Sequence, residues 1–300
     1  MASWQAQVTV WFLKWRLKPR LRVALRAPCD VAALRRLFRM PQARVPTGVQ
    51  ITPGEVGGIA GEWVTADGSS GITLLYLHGG GYFACSAETH RPVTIAFARR
   101  GFGVFAPNYR LAPEHPFPAA VEDALAAYRG LLRSTSANSI VIAGESAGGG
   151  LAAALLVALK GGREPMPAAA ALFSPWTDLA GTGDSLRTNA RRCAMFDGSG
   201  EEAAMYLGRA DPQDPLASPL YADLAHLPPL LIHVGKDEVL LDDSVRFRER
   251  ARAADVDCSL KIWDVVPHAW QLMQMLPEAR ESVREAAEFL TSAVRKTVHA

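Results

Sequence analysis

The hydrophobic positions change texture along the chain. From about residue 46 onward, short β-rich apolar runs alternate with longer stretches of helical spacing. The runs are ITLLYL (72–77), GVFA (103–106), IVIAG (140–144), AALF (170–173), LLIHV (230–234) and LKIWDV (260–265). Helical patterns lie between them at about 91–100, 118–132, 148–160 and 242–254, with a last one at about 278–297. Strand–helix alternation of this kind predicts an α/β fold, with a mostly parallel central sheet flanked by helices. Two earlier segments, around 48–52 and 59–65, are joined by a Gly-rich turn and predict an antiparallel edge hairpin.

The first forty residues follow a different rule. Trp4, Val8, Trp11, Phe12 and Trp15 recur at helical spacing, and residues 1–40 hold nine Lys/Arg against one acid, Asp30. This predicts an amphipathic basic helix, broken by Pro19 and Pro28. Asp30 is placed to cap a second helix carrying Val31, Leu34, Leu37 and Phe38. The segment either covers the main domain or rests on an anionic surface, and a cover is the preferred reading. Lys14, Arg16 and Lys18 interrupt the apolar run and no small-residue cleavage site follows, which argues against a signal peptide. With no stretch of about 18 uncharged apolar residues, stable membrane insertion is not expected.

Composition narrows the function classes. At 300 residues and 49% hydrophobic, the chain suffices for one large domain, or a domain with a small appendage. A net charge of +2 gives no overall bias toward nucleic acid. Cys29, Cys85, Cys193 and Cys258 are scattered without a CxxC, so free thiols in a reducing cytoplasm are expected rather than a disulfide or zinc framework.

One stretch carries chemistry. In IVIAGESAGGG (140–150) an apolar strand runs into Ser146, and an Ala/Leu-rich helix follows at once. So tight a reversal brings residues 144 and 148 together, where any Cβ would clash, and both are glycine. The strained apex then lifts the serine hydroxyl above the sheet edge, at a helix N-terminus that favours developing negative charge. LHGGGYF (77–83) is the second Gly-rich turn. Its amides at Gly80 and Gly81, with that of Ala147, form the trio of donors that an acyl-transfer oxyanion needs. His78 and Gly79 are expected to support this loop. Neither turn ends in Gly-Lys-Ser/Thr, which argues against a phosphate loop.

A serine nucleophile needs a base, and the base an orienting acid. Of seven histidines, His268 follows the strand LKIWDVV on a loop, where a strand's C-terminal end would deliver it to the site. His233 falls mid-strand and reads as structural. His90, His115, His226 and His299 show no special company. For the acid, spacing alone does not choose among Asp237, Glu238, Asp242 and Asp243. Position just beyond LLIHV favours Asp237 or Glu238, and Asp242 and Asp243 read as helix-start acids. Ser146…Asp237…His268 follows the chain order of α/β-hydrolases.

The stretches HGGGY (78–82), YRLAPEHPFPAA (109–120), GESAGG (144–149), SPWTDL (174–179), GKDEVLLDDS (235–244) and PHAW (267–270) stand together in one order. In this the chain resembles the bacterial hormone-sensitive-lipase-like esterases of the α/β-hydrolase superfamily. The resemblance implies a cofactor- and metal-free carboxylic-ester hydrolase acting on short- to medium-chain esters, a small-molecule substrate. It also implies N-terminal cap helices (1–45) on a catalytic domain (46–300) with a cap insertion at about 180–212, and a homodimer as a weak expectation. It places the triad aspartate at the first acid after the strand, Asp237. Cys85 stands where such loops usually carry glycine, which would narrow the entrance, and Glu145 stands where Asp or Thr is commoner. A lactonase or amidase would use the same triad. A non-catalytic binding protein, like the plant gibberellin receptors that resemble these esterases, would lack a working one.

Overall fold

The computed structural model describes residues 2–26, 29–39, 44–198 and 201–298, so Pro28 and His299 lie outside the described residues. Three helices open the chain: α1 (Trp4–Arg16), α2 (Lys18–Ala24) and α3 (Val31–Leu37). Pro19 sits in the first turn of α2, where its missing N–H costs nothing, so it begins a helix as well as ending the run before it. Asp30 caps α3, accepting a hydrogen bond from the Ala33 N–H at 2.8 Å.

Strands β1 (Val49–Val56), β2 (Ile59–Ala66) and β3 (Thr73–Leu77) follow, then α4 (Arg91–Ala98), β4 (Gly103–Pro107), α5 (Ala119–Leu132), β5 (Ile140–Glu145), α6 (Ala147–Gly161) and β6 (Ala170–Phe173). Two short helices, α7 (Ser185–Thr188) and α8 (Glu201–Leu207), precede β7 (Leu230–Gly235) and α9 (Leu241–Ala253). β8 (Cys258–Trp263) and α10 (Pro277–Val298) complete the chain.

The strands form one eight-stranded sheet in the order β1-β2-β4-β3-β5-β6-β7-β8. β1 and β2 form the expected antiparallel hairpin, β2 meets β4 antiparallel, and every later pair is parallel. Both faces are covered, because successive strand residues point to opposite sides. Leu75, Ile142, Leu172 and Ile232 pack toward α5, α6 and α9, whereas Leu74, Val141, Ala143 and Phe173 pack toward α4 and α10. The N-terminal helices form a third cluster, in which Leu13, Leu21 and Leu34 enclose Phe83, Ala84 and Met195. They therefore sit over the strand C-terminal ends, beside the glycine loop and the 180–198 segment.

Candidate active site

Ser146 lies between β5 and α6 with φ 57° and ψ −122°, a conformation that non-glycine residues seldom adopt. The turn is pinned from three sides. The Ser146 N–H donates to the Phe173 carbonyl at 2.8 Å, and the Ser146 carbonyl accepts from Trp176 and Gly150, each at 3.0 Å. The flanking glycines are demanded by space: a Cβ on Gly144 would stand 2.1 Å from the Gly148 oxygen, and one on Gly148 would stand 2.1 Å from the Leu77 oxygen. The Ser146 hydroxyl does not cap α6, and Ala147, the first helical residue, has an N–H with no acceptor within the helix.

His268 is buried on the loop after β8, and its Nε2 has no hydrogen-bond partner among the described residues. Its other nitrogen corrects the sequence reading. Nδ1 lies 2.5 Å from Glu238 Oε2, so the acid that orients the imidazole is Glu238 and not Asp237. A turn after β7 decides this. The Glu238 N–H bonds back to the Gly235 carbonyl at 3.1 Å, which turns Glu238 into the interior and leaves Asp237 partly exposed. Glu238 Oε1 is then fixed by the Gly235 N–H at 2.6 Å and the Ser174 hydroxyl at 2.7 Å, leaving Oε2 for the histidine.

Burial alone would lower the pKa of His268. The adjacent Glu238, through charge and hydrogen bond, and the more distant charge of Glu145 outweigh it and hold the imidazole above its ordinary value. Asp242 and Asp243 lie in the first turn of α9 but serve other segments. Asp242 accepts from the Ser185 N–H at 2.8 Å, and Asp243 from those of Thr177 and Asp178 at 2.8 and 2.9 Å.

The glycine loop is held by groups that sequence reasoning undervalued. His90 is buried, and its Nε2 accepts the Gly79 N–H at 3.1 Å while lying 3.0 Å from Glu145 Oε2. Glu145 fills the space beside Gly79, where a Cβ would meet its carboxylate at 2.3 Å. Its other oxygen lies 3.6 Å from His268 Nε2. One carboxylate thus touches the serine turn, the glycine loop and the imidazole. No local pattern marks this role of His90: the groups at its Nε2 lie 11 and 55 residues away, while its Nδ1 meets the nearby Thr89 hydroxyl and Ser86 carbonyl. His78 braces the loop as expected: its Nδ1 bonds the Gly79 carbonyl at 2.8 Å and its ring stacks on Tyr109 at 4.2 Å. Burial, with His90 nearby, lowers its pKa to about 3, so it stays neutral. His233, also lowered to about 3 by burial, bonds Ser282 at 2.9 Å and is structural.

One cavity of about 580 Å³ is lined by Gly80, Gly81, His90, Glu145, Ser146 and His268. Its walls are mostly apolar, drawn from α1 (Val8, Phe12), α3 (Leu37), the 186–196 segment (Leu186, Met195, Phe196) and Leu240. Lys18 ties the two covering segments together by donating to the carbonyls of Ala190 and Cys193 at 2.5 and 2.8 Å. Arg35 fastens α3 to the carbonyls of Phe83 and Ala112 at 2.8 and 3.1 Å.

A family model described as an alpha/beta hydrolase fold matches residues 74–272. An acetyl-hydrolase of Streptomyces hygroscopicus is 44% identical over 254 residues, covering 83% of this chain and 84% of that protein. The solved structure of EstE5 soaked with p-nitrophenyl butyrate superposes with a TM-score of 0.92 at 40% identity, covering 98% of this chain and 100% of that one. An esterase from the bacterial hormone-sensitive lipase family superposes with a TM-score of 0.87 at 41% identity, again over 98% and 100% of the two chains. The chain belongs to the bacterial hormone-sensitive-lipase-like esterases.

It is a carboxylic ester hydrolase of the α/β-hydrolase fold. Among the described residues of this esterase, no helix is long and apolar enough to cross a membrane. Cys85, at the glycine usual in such loops, has φ 73° and lines the cavity. Burial, with the Glu145 charge, pushes its thiol up to about 12.

Proposed function

We propose that this esterase hydrolyses short- to medium-chain acyl esters through Ser146, His268 and Glu238. The observation that carries the reading is the buried Glu238–His268 pair, whose Nε2 has no partner among the described residues and lines the same cavity as Ser146. His268 Nε2 takes the Ser146 proton as Oγ attacks the ester carbonyl, and Glu238 holds the Nδ1–H and stabilises the imidazolium. The N–H groups of Gly80, Gly81 and Ala147 receive the oxyanion, each worth about 3 kcal/mol in comparable sites. His268 then protonates the departing alcohol, and water repeats the sequence on the acyl-enzyme to release the acid.

The acetyl-hydrolase name of one relative and the butyrate ester soaked into one neighbour support the short end of the acyl range. A largely apolar cavity of about 580 Å³, covered by α1, α3 and the 186–196 segment, supports an upper limit. Rates on p-nitrophenyl esters should peak at about C4–C8. Ser146→Ala should stay folded and lose kcat by several orders of magnitude. Labelling by an organophosphonate at any other serine overturns the assignment, and faster turnover of palmitate than of butyrate overturns the chain-length reading.

A further inference from the structure

Helix α1 is apolar on two sides. Its inner side buries Ala6 and Leu13, and Leu13 packs in the cluster around Phe83 and Met195. Its outer side carries Trp4, Val8, Trp11 and Trp15, a spacing that sets them in one stripe. The three tryptophans are 69, 64 and 65% exposed, and Trp11 and Trp15 stack on each other with ring centroids 6.0 Å apart. The helix is anchored at both ends, so the stripe has a fixed place. The Ser3 N–H and hydroxyl donate to Glu278 at 2.6 and 2.9 Å, and Lys18 holds the 190–193 segment. A contiguous aromatic stripe of this kind marks an interaction surface.

Charge identifies the occupant. Arg16, Arg20 and Arg26 are exposed in the same N-terminal segment, Arg16 lying 5.9 Å over the Trp15 ring, and none of them makes an ion pair among the described residues. The first forty residues carry nine cations against one acid in a chain of net +2, so the remainder is net acidic. We propose that α1 docks this esterase on an anionic lipid surface, with its tryptophans at the headgroup boundary and the cavity mouth facing the lipid. Tryptophan suits that boundary because its ring is apolar and its N–H stays wet. At 13 residues α1 is too short to span a bilayer and lies along its surface.

Val8, Trp11 and Phe12 belong both to the exposed face and to the cavity wall, where exposed Met275 joins them. An apolar path thus runs from the stripe to Ser146. A second copy of the chain suits the stripe less well, since a two-fold contact would bring the same basic patch to both sides of the interface, like charge near like charge. The cover and the surface contact are two sides of one helix.

The test is co-sedimentation of the full chain with large vesicles of phosphatidylcholine alone or with 30–40% phosphatidylglycerol (roughly the anionic fraction that gives a strong surface potential). Binding to the anionic vesicles, weakened by salt, is expected. Trp4→Ser/Trp15→Ser and Arg16→Glu/Arg20→Glu should each weaken it by on the order of tenfold or more. Both variants should keep wild-type turnover of soluble p-nitrophenyl butyrate, which also reports that they fold. Binding is read without turnover, and Ser146→Ala should bind like wild type, so failure of the esterase mechanism leaves this result standing. Equal partition to neutral and anionic vesicles overturns the proposal. So does a dimer in sedimentation equilibrium that the tryptophan variant dissociates while vesicle binding is unchanged.

Discussion

The Glu238 carboxylate meets Nδ1 of His268 at 2.5 Å, both groups being buried, while its neighbour Asp237 is partly exposed. Glu238→Gln should therefore lower kcat by roughly 10³–10⁴, because the amide neither stabilises the imidazolium nor fixes the tautomer. Asp237→Asn should change kcat less than about threefold, within the range of a surface substitution. The reverse ranking in a p-nitrophenyl butyrate assay would restore the aspartate.

The same pair sets the pH profile. His268 acts as a base only when neutral, so the rate climbs as pH rises through its pKa, which Glu238 and Glu145 hold above the ordinary value. Removing the Glu238 charge lowers that pKa. The acid limb of kcat/KM in Glu238→Gln should move to lower pH even as the plateau falls. A limb that stays in place would show that another group sets it.

Glu145 and His90 are positioning residues for the glycine loop. With Gly79 N–H to His90 at 3.1 Å and His90 to Glu145 at 3.0 Å, either loss frees the backbone that presents Gly80 and Gly81. His90→Asn should reduce kcat about 10–100-fold with KM little changed, since the donors are needed most in the transition state. Affinity for a trifluoromethyl ketone should fall in parallel. Loss of thermal stability with unchanged ketone affinity would make the role purely structural.

Asp243 is buried behind the site, and burial, with the Asp178 charge, pushes it up to about 8 against the pull of two backbone N–H groups. The folded state thus holds this proton more tightly than the unfolded chain, whose aspartates titrate near 4 (roughly the unperturbed value). The stabilisation is complete below that pH and is lost as pH rises through about 8. From this group Tm should fall between about pH 4 and 8 and level off above, and Asp243→Asn should flatten that slope. Parallel slopes for the two proteins would assign the dependence elsewhere.

Cys85 combines a positive φ of 73° with a thiol raised to about 12. Maleimide labelling at neutral pH should be slow, because the thiolate is scarce. Cys85→Gly should be more stable than Cys85→Ala by about 1 kcal/mol, opposite to the usual order, since only glycine adopts this backbone freely. Thermal melts of the two variants decide it.

Much of this molecule is local in origin and was legible in the residue order. Apolar runs and helical spacing placed the strands and long helices close to their observed ends, because each element buries a face whose period the sequence must display. The exceptions are β8, displaced to 258–263 from the expected 260–265, and β1, which runs on to Val56 rather than ending near 52. The serine turn was legible for a steric reason, as residues 144 and 148 must lack side chains for the chain to reverse there at all. Three matters needed the tertiary structure. Asp237 and Glu238 are adjacent and chemically alike, and only the Gly235 turn bond decides which one turns into the interior. His90 gains its importance from Gly79 and Glu145, partners that no local pattern connects to it. The two apolar sides of α1 look like one amphipathic helix in sequence, and packing alone shows which side the protein covers and which it leaves to water.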